Sequence, residues 1–561
     1  MRCCPNIWLI ALLLSVVFSA IRGGFDPQDV QNLIDTDSYL RYLTVQKLLN
    51  GDGWYDHLIA RDNWPYGLEH HWTRLPDLLL LPLAFIFSPL MMGTVYQTLL
   101  LALFAVGLIK AAEKFQASWS NLVNPALLLA VFSSPYLLSY FTPGRIDHHA
   151  LLATLFVWLL YALLRQRWMQ AGILAGLGVW VSIEFFVPLA FIALWLGVCW
   201  LRNPAAYHRA PWQFFWPMLL VMTLAIPLER PPAEFAHPII DTLSFPHWLL
   251  ILLTTLSAWI LSLPAAWQCA WPWRLLKAVL YVTGIFLITF LAFPSLLQLG
   301  FSPTDDPLLA QYFSEYIDEL QSPFSKGYGL SPFIAALFGL ALAYPSLRQQ
   351  HWPTGGLLLL WLTLALSLLM ATAFRWSYYA IPAALLLLAF GLSHPLWEKR
   401  RLHRMAIIFA LVLLPPLIAA QPIRESQHEE GDLGVCLKEI HQLIHENLLG
   451  DTPLTVAIIP NQGYEMLFYT PHRILAANNH RNVQGLGDLL RLLNTRDATL
   501  AEAIARKRQV QAIVECSALI SDSSYLHLPQ NWLQPHPLSG NFKELKIWEV
   551  KSPVSVARRM P

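Results

Sequence analysis

Long apolar runs, interrupted by short charged clusters, fill the chain as far as Gln421, after which polar and apolar positions alternate in much shorter stretches. A helix crossing the hydrocarbon of a bilayer needs about 17 to 25 apolar residues at 1.5 Å rise each. Stretches of that kind begin near Asn6, Met91, Asn121, His148, Ala171, Ile183, Trp212, Trp248, Lys277, Leu330, Pro353, Trp376 and Met405. They predict a polytopic α-helical membrane domain of about thirteen transmembrane helices over residues 1–421. Of these, the pair at Ala171 and Ile183 is short for two spans.

Beyond Gln421 the pattern changes. A polar helix "LGVCLKEIHQLIHENLL" precedes a buried-type strand "LTVAIIP", a turn at "NQGYE", a strand "HRILAAN", helices through "LGDLLRLLNT" and "LAEAIARKRQ", and a strand "VQAIVEC". Strands alternating with helices predict a soluble α/β domain with a small parallel sheet over residues 422–561. In such sheets ligands sit at the carboxyl ends of strands, which directs attention to "IIPNQGY".

Charge sets the orientation. "KAAEKF", "LRQRW", "WLRNPAAYHR", "PWRLLK", "SLRQQHW" and "WEKRRLHR" all fall on one side of the predicted bundle, and the excess of Lys and Arg assigns that side to the cytoplasm. The N-terminus is then inside and the C-terminal domain outside. The first span looks like a signal peptide, but "FSAIRGG" is a weak cleavage site, and an odd number of spans requires that it be kept.

Composition narrows the class. With 561 residues, 56% of them hydrophobic and 13% charged, the chain is too apolar for one water-soluble core. A net charge of +1 supplies no basic field for nucleic acid. There is no GxGxxG for a dinucleotide, no zinc spacing, no GxSxG, and no Cys and His pairing for covalent catalysis. Cys436 and Cys516 both fall in the outer domain, where an oxidising compartment permits a disulfide, whereas Cys199 and Cys269 face inward and Cys3 and Cys4 lie near the inner terminus.

The polar residues that remain gather in outer segments: a first loop 24–77, the short "PGRIDHH", "ERPPAEFAHPIIDTLSF", and a long loop 298–329. Asp35 and Asp37 precede a helical segment, where either could simply cap it. Asp147, His148 and His149 stand at the mouth of a span, where a histidine could snorkel to the interface. Glu315, Asp318 and Glu319 could be a solvated face, and Arg375 could anchor a span end. All four clusters nevertheless fall on one side. Carboxylates with one imidazole and a guanidinium suit a divalent ion, Mn²⁺ or Mg²⁺, beside a phosphate site.

These residues carry a resemblance. "IDTDSYLRY", the aromatic segment "DGWYDHLIARDNWPYGLEHHWTRLPD", "GRIDHHALL", "YIDELQSP" and "RWSYYAIP" are similar, in order, to the motifs of GT-C glycosyltransferases of the oligosaccharyltransferase catalytic-subunit type. The resemblance implies a GT-C fold of thirteen spans with an outer C-terminal domain. It implies a metal held by Asp37, Asp147 and His149, with Asp35 and His148 supporting it. Catalytic roles fall to Asp37, Asp147 and Glu319, and Arg375 binds the donor phosphate. The family's WWDYG motif is degenerate here: Asn461, Gln462, Gly463 and Tyr464 occupy the acceptor region, and both Trp and the Asp are missing.

The activity implied is inverting, metal-dependent transfer of a sugar or oligosaccharide from a polyprenyl phosphate or pyrophosphate donor to a glycan, lipid or protein acceptor. The setting is the outer face of a bacterial inner membrane. A GT-C transferase moving one sugar onto a lipid or envelope glycan, and a lipid-linked glycan flippase, are the two alternatives.

Overall fold

A computed structural model of the protein describes residues 6–25, 32–115, 122–298, 306–347, 354–399, 401–419, 430–516, 524–527, 529–537 and 542–551. Cys3, Cys4, the predicted domain boundary at 421/422, the start of the long loop, and the side chains of Glu315 and Asp318 lie outside the described residues. The chain forms two compact units. The first comprises Met1–Ile34, Trp72–Phe301 and Ser314–Pro422; the second comprises Asp35–His71, Ser302–Phe313 and Ile423–Pro561.

The first unit is helical, and helices stand at the predicted positions. Among the described residues six are long and apolar enough to cross a membrane: Pro89–Phe115, Ile183–Arg202, Pro204–Glu229, Trp271–Ala292, Thr354–Thr372 and Phe374–Leu392. A seventh forms if Val123–Phe132 and Pro135–Phe141, bent by 61°, are one broken span. Ile7–Ile21, His149–Leu164, Trp168–Val181, Phe245–Leu261 and Ser331–Ser346 are apolar but shorter. Among the described residues, helices thus stand at the predicted starts, and some of them are shorter than a full span. The chain is a multi-pass membrane protein.

Burial sorts these helices. Every residue of Ser377–Leu392 is buried, as befits a helix apolar on all sides at the centre of a bundle. Trp271–Ala292 is as apolar, yet only Thr289 is buried, so its surface is left for lipid. Where helices meet closely, small residues allow it. A Cβ on Gly172 would lie 2.0 Å from the Phe214 carbonyl oxygen, and one on Gly176 would lie 2.7 Å from Val221 Cβ. Trp168–Val181 thus packs backbone-close against Ala210–Glu229.

The second unit is built on a five-stranded sheet. In spatial order its strands are Arg473–Ile474, Thr455–Ala457, Ala512–Cys516, Leu545–Val550 and Leu533–Pro535. The first three run parallel, as the alternation of strands and helices predicts. Leu545–Val550 pairs antiparallel with Ala512–Cys516 on one side and with Leu533–Pro535 on the other, so the sheet is mixed rather than parallel. The predicted turn "NQGYE" is a 3-10 turn, Pro460–Gln462, followed by a helix, Gly463–Tyr469. Cys436 and Cys516 form a disulfide, whereas Cys199 and Cys269 are free.

Residues 35–71 join this unit, and the predicted loop 24–77 is divided between the two. The physical reason is a set of hydrogen bonds to backbone carbonyls: the Arg61 guanidinium donates to those of Leu467, Thr470 and His472, and the Trp64 and Ile474 amides donate to those of Ile474 and Arg61.

Candidate active site

In the first unit the stretch Thr142–His148 is held against the helix Pro89–Ala112. Gly144 adopts a φ of +80°, which a residue with a side chain rarely takes. Gly93 lets this turn approach, since a Cβ there would lie 2.9 Å from Gly144 Cα. Gln97 donates to the Arg145 carbonyl. These constraints deliver Asp147 to the start of His149–Leu164, fully buried.

Asp147 is surrounded by donors. Its Oδ1 accepts the His149 amide at 2.9 Å, and its Oδ2 accepts Arg145 Nε at 2.6 Å. Burial raises the Asp147 carboxyl, but Arg145 and His149 outweigh it and hold the group well below the usual carboxylate range. Arg145 reaches further, donating from Nη2 to Glu319 Oε1 at 3.1 Å. Its guanidinium also lies 5.2 Å from the centroid of the Tyr140 ring. One cation thus bridges the two carboxylates that the sequence places in separate outer segments.

His149 sits between the same carboxylates. Its Nδ1 is 3.0 Å from Asp147 Oδ2 and its Nε2 is 3.4 Å from Glu319 Oε2, yet neither buried ring nitrogen makes a hydrogen bond of acceptable geometry. Tyr140 and Tyr378 pack against its ring, and His148 stacks on it at 4.4 Å. His148 Nε2 is in turn 3.8 Å from Glu184 Oε1. Glu184 accepts from Arg375 Nη2 and from the Tyr378 hydroxyl. Ligand atoms of His148, His149 and Glu184 all lie within 4.8 Å of one another. A buried imidazole whose ring nitrogens make no hydrogen bond, ringed by carboxylates, fits a divalent cation.

In the second unit Asp35 caps the helix Thr36–Leu49, its Oδ1 accepting the Ser38 amide at 2.8 Å and the Ser38 hydroxyl at 2.6 Å. Asp37 lies in the first turn of that helix, half-buried. Tyr464 is fully buried: its hydroxyl donates to Asp62 Oδ2 at 3.0 Å and accepts from Asn479 at 3.2 Å. Asp62 also accepts Asn482 Nδ2 at 3.2 Å and the Asn63 amide at 2.6 Å. Burial nevertheless pushes its carboxyl up to about 7, against those three hydrogen bonds. Gly463 has no room for a Cβ, which would lie 2.8 Å from Ala477 Cβ. Exposed Asn461 accepts from Asn478, and Gln462 has a buried Oε1 without a hydrogen bond.

No protein-family model and no curated protein sequence matches the chain. Solved structures do. The oligosaccharyltransferase AglB of Archaeoglobus fulgidus, in complex with an inhibitory peptide and a dolichol-phosphate, superposes with a TM-score of 0.67 at 15% identity, covering 91% of this chain and 69% of that one. The Archaeoglobus fulgidus oligosaccharyltransferase tethered to an acceptor peptide containing an NVT sequon gives 0.64 at 16% identity over 91% and 68%. Its complex with Zn and sulfate gives 0.60 at 16% identity, with the same coverage. The chain has the oligosaccharyltransferase fold.

Within that fold, Asp147, His148, His149, Glu319 and Arg375 belong to one unit and form one polar network with Arg145, Glu184 and Tyr378. Asp35, Asp37 and residues 461–464 belong to the other unit. Three residues across the two units are not evident from the sequence motifs alone. Arg145 lies within "GRIDHH", where no local pattern sets it apart from the acid and the histidines beside it. Glu184 is the lone acid in the apolar run "VSIEFFVPLAF", and an ionisable residue in such a run is itself a functional signal. Asp62 lies in an aromatic segment, one of several acids there with no spacing that singles it out.

Proposed function

We propose that the protein is an oligosaccharyltransferase-like membrane glycosyltransferase. It moves a sugar or oligosaccharide from a polyprenyl phosphate or pyrophosphate to an acceptor on the outer face of the membrane. The observation that carries this reading is the network around His149: two carboxylates and an unsatisfied imidazole beside Arg145 and Arg375, in a chain with the oligosaccharyltransferase fold.

The roles follow from the contacts. Asp147 and His149 would hold a divalent cation, Mn²⁺ or Mg²⁺, with His148 and Glu184 beside them. When bound, such an ion supplies positive charge against the phosphate as the glycosidic C–O bond breaks. Arg145 and Arg375 are the fixed cations that orient the donor phosphate; each is tethered by a carboxylate, so its position is set before the donor arrives. Glu319, on the long outer loop, positions the acceptor for attack opposite the leaving group, which inverts the anomeric centre. Asp37 takes its catalytic role from the resemblance of its "DTD" motif, with Asp35 fixing the start of the helix that carries it.

An outer C-terminal domain, a cytoplasmic N-terminus and a bacterial inner membrane complete the proposal, supported by loop charge and by the Cys436–Cys516 disulfide, which needs an oxidising compartment. Among the solved structures, one oligosaccharyltransferase carries dolichol-phosphate and another an NVT peptide, which supports a lipid-linked donor and an external acceptor here. A single-sugar GT-C transferase acting on a lipid or envelope glycan is the second reading. It is favoured by residues 461–464, where no Trp or Asp is present to hold a hydroxyl amino acid.

Deleting the gene tests the proposal. The polyprenyl-linked donor should accumulate on the outer leaflet; an unchanged lipid-linked sugar pool contradicts it.

A further inference from the structure

The helix Glu430–His445 places His441 and His445 one turn apart, so both imidazoles leave the same side. Glu465, from the helix Gly463–Tyr469, faces them. His441 Nδ1 lies 2.6 Å and His445 Nε2 lies 2.9 Å from the same carboxylate oxygen, Glu465 Oε1. The Glu465 side chain is 3% exposed, whereas that of His441 is 50% exposed. Tyr469 covers the His445 ring, centroid to centroid 4.0 Å. Ligand atoms of the three residues lie within 4.8 Å of one another.

We propose that His441, His445 and Glu465 form a divalent transition-metal site, of Zn²⁺ type, on the C-terminal domain. Two imidazoles and one carboxylate are the donors that Zn²⁺ takes, at about 2.0 to 2.2 Å each, and an ion of that kind requires ligand atoms about 3.3 Å apart. The two contacts to Glu465, at 2.6 and 2.9 Å, need open by less than about 1 Å to reach that spacing. Oxygen-seeking Mg²⁺ and Ca²⁺ are disfavoured by the two nitrogens. The half-exposed ring of His441 leaves an approach from solvent, so water fills the fourth position. The site is separate from the network around His149, with which it shares no residue.

The function of this site is structural. The same helix is fastened by the Cys436–Cys516 disulfide, and Glu439 accepts the amides of Lys543, Glu544 and Leu545 at 2.6, 3.0 and 2.9 Å. A metal at its C-terminal end ties it to the helix Gly463–Tyr469, which lies between the strands Thr455–Ala457 and Arg473–Ile474 in the chain.

The test uses the full-length protein, freed of any affinity tag and stripped with chelator, dialysed against Zn²⁺ or Co²⁺. Wild type should bind one more equivalent of Zn²⁺ than His441→Ala, and Co²⁺ should give visible bands of tetrahedral type that the variant lacks. Zn²⁺ should also raise the thermal midpoint of wild type and not that of His441→Ala. The metal-free midpoint of each protein is the reference for its own Zn²⁺ response, because His441→Ala also removes the His441–Glu465 contact. Equal Zn²⁺ stoichiometry and equal Co²⁺ spectra in the two proteins overturn the proposal.

Discussion

Arg375 donates a hydrogen bond to Glu184, a carboxylate at the break between the apolar helices Trp168–Val181 and Phe186–Arg202. Tyr378, one turn beyond Arg375, donates to the other oxygen of the same carboxylate. A pair this closely held leaves an uncompensated charge when either partner is removed, at a cost of about 3 to 5 kcal/mol. Glu184→Ala should therefore lower the thermal midpoint and abolish transfer. Arg375→Met added to it should recover part of the midpoint but none of the activity. A double variant no more stable than Glu184→Ala, measured by thermal unfolding in detergent, speaks against the pair.

Asp37, Asp147 and His149 are expected to be essential. Asp147→Asn keeps shape but removes the charge that Arg145 and His149 face. Even changes around a metal's own ligands cost about 10-fold to 100-fold. Asp147→Asn, Asp37→Ala and His149→Ala should each lose at least that much transfer while remaining inserted and folded, as judged by size-exclusion profile. Near-normal transfer by any one of them removes that residue from the site.

Asp62 makes the second unit sensitive to pH. Its carboxyl is raised by burial to about 7, whereas in an unfolded chain it titrates near about 3.9. Between those values the folded state binds the extra proton, so the contribution of Asp62 is fully present below about 3.9 and is lost as pH rises through about 7. Asp62→Asn should flatten that slope. Parallel pH profiles of the thermal midpoint for wild type and variant would show that Asp62 does not control it.

The disulfide closes a loop of 80 residues between Cys436 and Cys516. Loop-closure entropy puts its contribution at about 4 kcal/mol for a loop of this size. Cys436→Ser with Cys516→Ser should lower the midpoint of the C-terminal domain, and reductant should then have no further effect. A midpoint indifferent to both would mean that the other fastenings of the helix Glu430–His445 suffice.

An Asn-x-Thr peptide should be a poor acceptor. A pocket built to hydrogen-bond a hydroxyl discriminates strongly for it, and one lacking those groups does not. Here Tyr464 is committed to Asp62, and Gly463 is packed against Ala477. Efficient glycosylation of such a peptide, lost on changing its Thr to Ala, would refute this.

Much of the architecture was legible because period and length are read directly from apolar residues: helices stand at all the predicted starts, and the strand at Ala512–Cys516 is where "VQAIVEC" placed it. The helix at Gly463–Tyr469 was not, since Pro460 and Gly463 read as punctuation and the helix is only seven residues long. The grouping of residues 35–71 with the C-terminal part depends on Arg61 reaching carbonyls some four hundred positions away, which no local pattern encodes. Glu184 was legible in principle: a lone acid in an apolar run needs a partner. Its partner, Arg375, lies 191 positions further on, beyond the reach of any local pattern.

Cleavage of the donor tests the central claim most directly. Purified full-length protein, given a polyprenyl pyrophosphate-linked oligosaccharide and Mn²⁺, is assayed for free polyprenyl phosphates and for sugar released to water or to an added acceptor. The account predicts cleavage at the glycosidic bond, dependent on the divalent ion and absent in Asp147→Asn. Intact donor crossing vesicle bilayers with no sugar released would identify a flippase and contradict it.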